Sequence, residues 1–418
     1  MPSADGRLHL VFISVHGLIR GQDLELGRDA DTGGQVRYVV ELARALGSHP
    51  QIARVDLLTR RVLDSSVSAD YARREEMLSD SARIIRLDCG DESYIPKAQW
   101  WDCLDVFADN ARHWRREHDL DPDIVHSHYA DAGYVGTRLS SQLGVPLVHT
   151  GHSLGRVKRR RLQARGLKSD VIEARYNMSR RVEAEEDILG TAELVITSTN
   201  QEIEQQYGLY DHYQPDKMRV IPPGTALDSF YPPDGSERDS PIYRELGRFL
   251  LSPDRPMMLA LSRPDTRKNI TTLLEAYGES DALQAAANLV IVAGNREDIR
   301  DMESEAQQVL TDILLTIDLY DLYGRVAYPK SHRQHDVSIL YRLAAASQGV
   351  FVNPALTEPF GLTLIESAAS GLPIVATEDG GPRDITANCR NGYLVDPLDT
   401  QDIAKAPVSY THLRAHET

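Results

Sequence analysis

The sequence predicts an α/β protein of two doubly wound, Rossmann-like domains facing a central cleft, each domain a parallel sheet wrapped by helices. Three observations predict it. Short apolar runs recur along the chain, each followed by a Gly-rich or polar turn and then by a longer stretch with helical spacing. The runs lack polar alternation and are too short for ordinary helices, as expected of strands buried on both faces. They also fall into two series, separated by a segment dense in Pro, Gly, Ser and Asp.

The first series opens with "LHLVFISV" (8–15), read as a buried strand. "GGQVRYVVELARALGSH" follows as a helix opened by glycines, with Val36, Val39, Val40, Leu42, Ala43 and Leu46 at near-helical spacing. Further strands are expected at 55–60, 82–89, 123–128, 145–150 and 193–199. The second series is expected at 256–263, 287–294, 324–329, 349–355, 372–377 and 392–397. Between them "VIPPGTALDSFYPPDGSERDSP" (220–241) has linker chemistry, so the domains are read as 1–224 and 225–406. The helix start "TQDIAKA" reads as cut short, and 407–418 as a non-native tail without a clear period, which leaves the second domain incomplete.

Composition excludes several classes. The chain has 418 residues, with 62 Asp and Glu against 46 Lys and Arg, a formal net charge of −16. Such an acidic balance argues against general nucleic-acid binding. No apolar stretch of about 18 residues suggests a membrane span, and the N-terminus reads as a core strand instead of a signal peptide. Three cysteines, Cys89, Cys103 and Cys389, form no CxxC. This fits a reducing cytoplasm better than a disulfide framework or zinc site.

Ligands of doubly wound sheets bind beyond the carboxyl ends of the strands, and the suggestive residues fall at such turns. In "GRDADTGGQ" (27–35) adjacent glycines open a helix, where backbone N–H groups and the helix dipole favour a negative group. This is not GxGxxG, so a dinucleotide fingerprint is absent. "DAD" (29–31) invites comparison with a metal site but reads as turn and capping chemistry. "HSHYADAGYVG" (126–136) and "LVHTGHSLGRVKRRR" (147–161) put histidines at two neighbouring strand ends. His126 reads as structural, whereas His152, in a Gly-His-Ser turn, is a site candidate. Behind it Arg156, Lys158, Arg159, Arg160 and Arg161 crowd one helix start; Arg156 and Lys158 are expected nearest the cleft, and the other three as a solvated face. Arg180, Arg181 and Lys97 are further cations, suited together to a phosphate monoester.

In the second half Arg263 and Lys268 of "ALSRPDTRKN" share one loop within reach of a diphosphate. "EPFGLTLIE" (358–366) separates Glu358 from Glu366 by eight residues, unlike the close carboxylate pair of a retaining glycosidase. "EDGGPRDI" (378–385) supplies another glycine pair. On architecture alone, a cleft that only binds a sugar or nucleotide remains the alternative to an enzyme.

Taken together, "GRDADTGGQVRYVVELARAL", "HSHYADAGYVG", "LVHTGHSLGR", "SRPDTRKNITTLLEAYGE" and "NPALTEPFGLTLIESAASGLPIVATEDGGPRDI" resemble the retaining glycosyltransferases of the GT-B fold, most closely the sucrose-phosphate synthases. The resemblance covers nearly everything to residue 406. It implies transfer of glucose from UDP-glucose to fructose 6-phosphate, with the acceptor on the first domain and the nucleotide sugar on the second. It implies that Arg263 and Lys268 bind the diphosphate, Glu358 the glucose and Glu366 the ribose, supported by amides of Phe360, Gly361 and Leu362. Gly33, Gly34 and Gln35 would line the meeting point of donor and acceptor, and His152 would contact the glucose. Lys97, Tyr129, Ser153, Lys158, Arg180 and Arg181 would hold the fructose phosphate. No cofactor or metal is required, magnesium being at most stimulatory. Two rivals stay open: sucrose synthase-like transfer to free fructose, and a non-catalytic sugar-nucleotide-binding protein. Neither oligomeric state nor strictness for UDP follows from the sequence.

Overall fold

A computed structural model describes residues 6–25, 28–29, 31–164 and 166–415, without the side chains of 408–415. The chain divides between Pro222 and Pro223 into two compact units.

The strands of the first unit are β1 (Leu8–Ile13), β2 (Ile52–Arg60), β3 (Glu75–Met77), β4 (Ala82–Leu87), β5 (Ile124–His128), β6 (Leu147–Thr150), β7 (Leu194–Thr197) and β8 (Met218–Val220). They form one sheet in the order β3-β4-β2-β1-β5-β6-β7-β8, parallel except where β3 runs antiparallel to β4. Its helices are α1 (Gly34–Gly47), α2 (Leu104–Glu117), α3 (Ala130–Leu143), α4 (Gly155–Ala164), α5 (Ser169–Tyr176) and α6 (Met178–Thr191). Strand β1 shows why polar alternation is missing. Val11 and Ile13 point into a core shared with Phe107, Val135 and Val182, while Leu10 and Phe12 point into another with Val36, Val39 and Val40. Each face of the strand therefore carries apolar side chains, worth about 1.5–3 kcal/mol apiece when fully buried. On α1 the buried residues Val36, Val39, Val40 and Ala43 fall at the predicted helical spacing.

The second unit repeats the plan with β9 (Met257–Ser262), β10 (Asn288–Ala293), β11 (Val326–Ala327), β12 (Val350–Asn353), β13 (Ile374–Thr377) and β14 (Gly392–Val395). Their order, β11-β10-β9-β12-β13-β14, is parallel throughout. Met258 and Ala260 of β9 face one core and Met257 and Leu259 the other. The helices are α7 (Pro241–Gly247), α8 (Ile270–Gly278), α9 (Asp281–Ala286), α10 (Ser304–Leu319), α11 (Gln334–Ala346), α12 (Leu362–Ala369), α13 (Pro382–Cys389) and α14 (Thr400–Ala415). Within the described residues no helix is long and apolar enough to cross a membrane.

Two elements go beyond the sequence reading. From Thr400 the backbone is helical past Pro407 to Ala415, with Ile403 and Ala406 docked in the second core. Residues 416–418 of the supposed tail lie outside the described residues. The edge strand β3 was also not anticipated. Its sequence, Glu-Glu-Met, is charged and half exposed, and pairing with β4 alone makes it a strand.

Candidate functional site

Both sheets reverse their strand order at one point, between β1 and β5 in the first and between β9 and β12 in the second. Such switch points leave a crevice beyond the strand ends where ligands bind. In the second unit the loops there are 263–269 and 354–361, which contain Arg263, Lys268 and Glu358. They are stapled together. Asp265 accepts from the Arg267 N–H at 2.9 Å, Leu356 N–H donates to the Arg267 carbonyl at 2.8 Å, and the Asn269 amide donates to the carbonyls of Pro354 and Pro397 at 3.0 and 2.7 Å. Asn269 adopts φ +56°, a left-handed turn that ends the short helical turn Thr266–Lys268. Lys268 leaves this turn with its Nζ 2.6 Å from Glu358 Oε2, which also accepts from Asn353 Nδ2 at 3.1 Å. Glu358 is buried and Lys268 partly open, with 10% and 26% of their side chains exposed. Half-buried Arg263 stands at the start of the same loop.

The chain turns into α12 at Gly361, whose φ of +102° only glycine adopts without strain. Phe360 is buried beside it. The second glycine pair explains itself here. A Cβ on Gly380 (φ +109°) would lie 2.1 Å from the Glu358 carbonyl oxygen, and one on Gly381 would lie 2.5 Å from Phe360 Cα. The Gly381 N–H donates to that Glu358 carbonyl at 2.9 Å. Backbone pressed against backbone thus fixes the loop that carries Glu358. Glu366 is buried in α12, where Tyr341 Oη donates to its Oε2 at 3.3 Å.

In the first unit the loop after β1 is built by its acids. Asp29 accepts from the N–H groups of Asp31 and Thr32, each at 2.7 Å, and Asp31 pairs with Lys97 Nζ at 2.8 Å. These contacts are turn chemistry. Burial works against ionisation of Asp31, but the Lys97 ammonium outweighs it and holds the carboxyl below its usual range. Among the described residues no group of three His, Cys, Asp or Glu side chains is arranged to hold a metal. Gly33 caps α1 with open space where a Cβ would stand, Gly34 is exposed, and Gln35 Nε2 approaches the His128 carbonyl at 3.5 Å.

The two histidine turns are strained: Tyr129 has φ +80° and His152 φ +57°. Non-glycine residues held in such conformations cluster at functional sites. Period-two geometry puts His126 and His128 on one face of β5, their rings 4.2 Å apart. His126 Nε2 bonds Thr150 Oγ1 at 2.9 Å, in keeping with the structural role expected of it. His128 Nδ1 meets His152 Nε2 at 3.1 Å, and the Tyr38 ring packs edge-on against His152 with centroids 5.1 Å apart. Burial, with repulsion between neighbouring imidazoles, pulls His126 and His152 down to about 3 and His128 well below its ordinary value. The cluster is therefore neutral at physiological pH.

The basic run divides differently from expectation. Arg156 is tied to Glu186, to Asp211 at 2.8 Å and to the Leu209 carbonyl, so it braces the fold and is no open cation. Arg181 is buried. Its guanidinium holds Glu185 at 3.0 Å and the Ser153 carbonyl at 2.7 Å, while Glu185 also accepts from the Gly155 N–H. Arg181, expected as a phosphate cation, thus also orients the turn that presents exposed Ser153. Lys158 stacks on the Tyr176 ring at 4.0 Å, and exposed Asp102 pairs with Arg180 at 2.6 Å. Arg160 and Arg161 are exposed, as a solvated face should be. Lys97 and Arg181 flank Tyr129, 5.5 and 4.5 Å from its ring centre. Sequence reasoning missed Tyr38, which α1 supplies, and saw His128 only as a strand-end histidine; the pairing of β5 with β6, which sets His128 beside Thr150, brings it to His152. The repeat His-x-His followed by His-x-x-His was the one available signal.

Two glycosyltransferase family models match the chain: "Glycosyltransferase Family 4" over residues 32–229 and "Glycosyl transferases group 1" over 245–412. A probable sucrose-phosphate synthase of Solanum tuberosum is 47% identical over 96% of the chain, and sucrose-phosphate synthase 4 of Arabidopsis thaliana 46% identical over the same share. The chain spans 44% of the length of each of these relatives. A solved sucrose-phosphate synthase of Thermosynechococcus elongatus superposes with a TM-score of 0.73 at 28% identity, over 97% of this chain and 91% of that one. Anabaena HepE in complex with UDP-glucose, at 14% identity and a TM-score of 0.62 over 98% and 95%, shares the fold.

Proposed function

Because this chain carries two glycosyltransferase domains of GT-B architecture and is a homologue of the sucrose-phosphate synthases, we propose that it transfers glucose from UDP-glucose to the 2-hydroxyl of fructose 6-phosphate. Sucrose 6-phosphate and UDP are the products, and the anomeric configuration is retained. The observation that carries the reading is the Lys268–Glu358 pair, held at 2.6 Å at the switch point of the second sheet beside the glycine-opened α12.

In this reading Arg263 and Lys268 take the diphosphate and meet the charge that grows on it as the bond from C1 to phosphate oxygen breaks. Glu358, fixed by Lys268 and Asn353, accepts from glucose hydroxyls, and Glu366 from the ribose. Amides of Phe360, Gly361 and Leu362 support sugar and phosphate. Neutral His152 contacts the glucose, with Gly33, Gly34 and Gln35 at the meeting point. Lys97, Tyr129, Lys158 and Arg180 receive the sugar phosphate with Ser153, which Arg181 orients. The new bond joins C1 to the fructose oxygen on the face the diphosphate leaves. The hydroxyl proton passes to the departing phosphate oxygen, so no enzymic nucleophile is needed. In this reading the two cations meet the charge on the leaving group, so the reaction needs no divalent metal, magnesium at most stimulating it.

The test is product analysis with radiolabelled UDP-glucose and either fructose 6-phosphate or fructose, in EDTA and in magnesium. Sucrose 6-phosphate formed in EDTA is the expected result. Preference for free fructose refutes the acceptor, dependence on magnesium refutes metal-free transfer, and no transfer to either acceptor refutes the reading as a whole.

A further inference from the structure

We propose that His128 is a positioning residue which fixes His152 as the Nδ1–H tautomer, so that His152 meets its ligand as a hydrogen-bond donor. The proposal rests on the reading above in taking a sugar hydroxyl of the donor as that ligand.

The argument starts from an orphaned atom. His128 is fully buried, and its Nε2 has no hydrogen-bond partner. Its Nδ1 lies 3.1 Å from His152 Nε2. Two neutral imidazoles joined in this way share one proton, so two arrangements exist. If His152 donates from Nε2, then His128 carries its own proton on Nε2, a buried N–H facing no acceptor. If His128 donates from Nδ1, its Nε2 is a bare lone pair. A buried N–H without a partner is the rarer and costlier orphan. Phe12 and the His126 ring pack against His128, with centroids 5.2 and 4.2 Å from its own, and neither gives its Nε2 a hydrogen-bond partner. The second arrangement therefore prevails, and His152 accepts at Nε2.

The proton of His152 then resides on Nδ1. That nitrogen has no hydrogen-bond partner among the described residues and, unlike His128 Nε2, is not sealed from solvent. The left-handed backbone of His152 and the edge of Tyr38 hold the ring in this attitude. A donor with fixed direction and no internal partner suits a hydroxyl or ring oxygen of a sugar. The other tautomer would offer only a lone pair, which leaves a different set of hydroxyl orientations acceptable.

The experiment reads the tautomer directly. In protein labelled with [15N]histidine, long-range nitrogen–proton correlation distinguishes the two neutral forms, and the His152 signals are those lost in His152→Asn. Nδ1–H is expected at neutral pH; Nε2–H overturns the proposal, whatever the activity. A kinetic arm uses UDP-glucose and fructose 6-phosphate. His128→Leu should lower kcat about tenfold or more with donor KM changed less than about threefold, and His128→Asn, whose amide supplies an N–H near the lost Nδ1, should recover to within about threefold. Equal loss in both variants overturns the positioning role. If wild type transfers no glucose at all, the proposed function fails while the spectrum still decides the tautomer. If His128→Leu does not fold, the wild-type spectrum alone decides.

Discussion

Replacing Lys268 by Ala should damage both stability and turnover, and the two losses can be separated. Lys268 Nζ sits 2.6 Å from Glu358 Oε2, and only 10% of the Glu358 side chain is exposed. Removing one partner of a buried pair typically costs about 3–5 kcal/mol, because a buried charge is left uncompensated. A quarter of the lysine side chain is open to water, and Asn353 still donates to the carboxylate, so the low end, about 3 kcal/mol, is expected here. Turnover should fall for another reason: the lysine faces charge that grows on the leaving diphosphate. Such a contact contributes about 3 kcal/mol to the barrier, roughly a hundredfold in rate. The double substitution Lys268→Ala with Glu358→Gln removes the stranded charge, so it should recover most of the stability and none of the rate. Urea unfolding supplies the first quantity, and initial rates over a range of UDP-glucose at saturating fructose 6-phosphate the second. A folded Lys268→Ala enzyme within about threefold of wild type in kcat would refute the reasoning. So would a double variant that regains turnover.

Three further outcomes follow from other sites. Lys158→Ala should raise KM for fructose 6-phosphate about tenfold and leave KM for UDP-glucose nearly unchanged, whereas Arg161→Ala should change neither by more than about twofold; an unchanged preference over free fructose in Lys158→Ala would show that the phosphate is read elsewhere. Gly380→Ala should cost about 3 kcal/mol or more, since its Cβ would stand 2.1 Å from the Glu358 carbonyl at a φ of +109°, and a urea midpoint equal to wild type would contradict this. Stability should fall as pH drops from 6.5 towards 3, because His126 has its pKa pulled from 6.5 to about 3 by burial and the unfolded chain binds the proton first. His126→Gln, which keeps an N–H for Thr150, should remove about 2 kcal/mol of the loss between about pH 7 and pH 5, and parallel pH curves for the two proteins would contradict it.

The sequence by itself determined the layered architecture, because burial on both faces of a sheet leaves a mark in every strand. "LHLVFISV" and "ANLVIVAG" became β1 and β10 since no other element buries such runs so cheaply. It also located the turns that carry the site, since a glycine pair or a strand-end histidine is a local signal. The same local reading failed where structure depends on a distant neighbour. Glu75–Met77 is a strand because β4 lies beside it, and the docking of Ile403 and Ala406 in the second core shows only in the fold. Charge was the least legible property. Arg156 and Arg181 look alike in a sequence, yet Arg156 pairs with Glu186 and Asp211, 30 and 55 positions away, and Arg181 with Glu185, one helical turn along. The partners of His152 were equally hidden, for the strand period aligns His126 with His128 but only the side-by-side pairing of β5 with β6 brings His128 to His152. A side chain's type is written in the chain, whereas its solvation and its partner are set by what folds against it, and these decide whether a cation or an imidazole is free to meet a ligand.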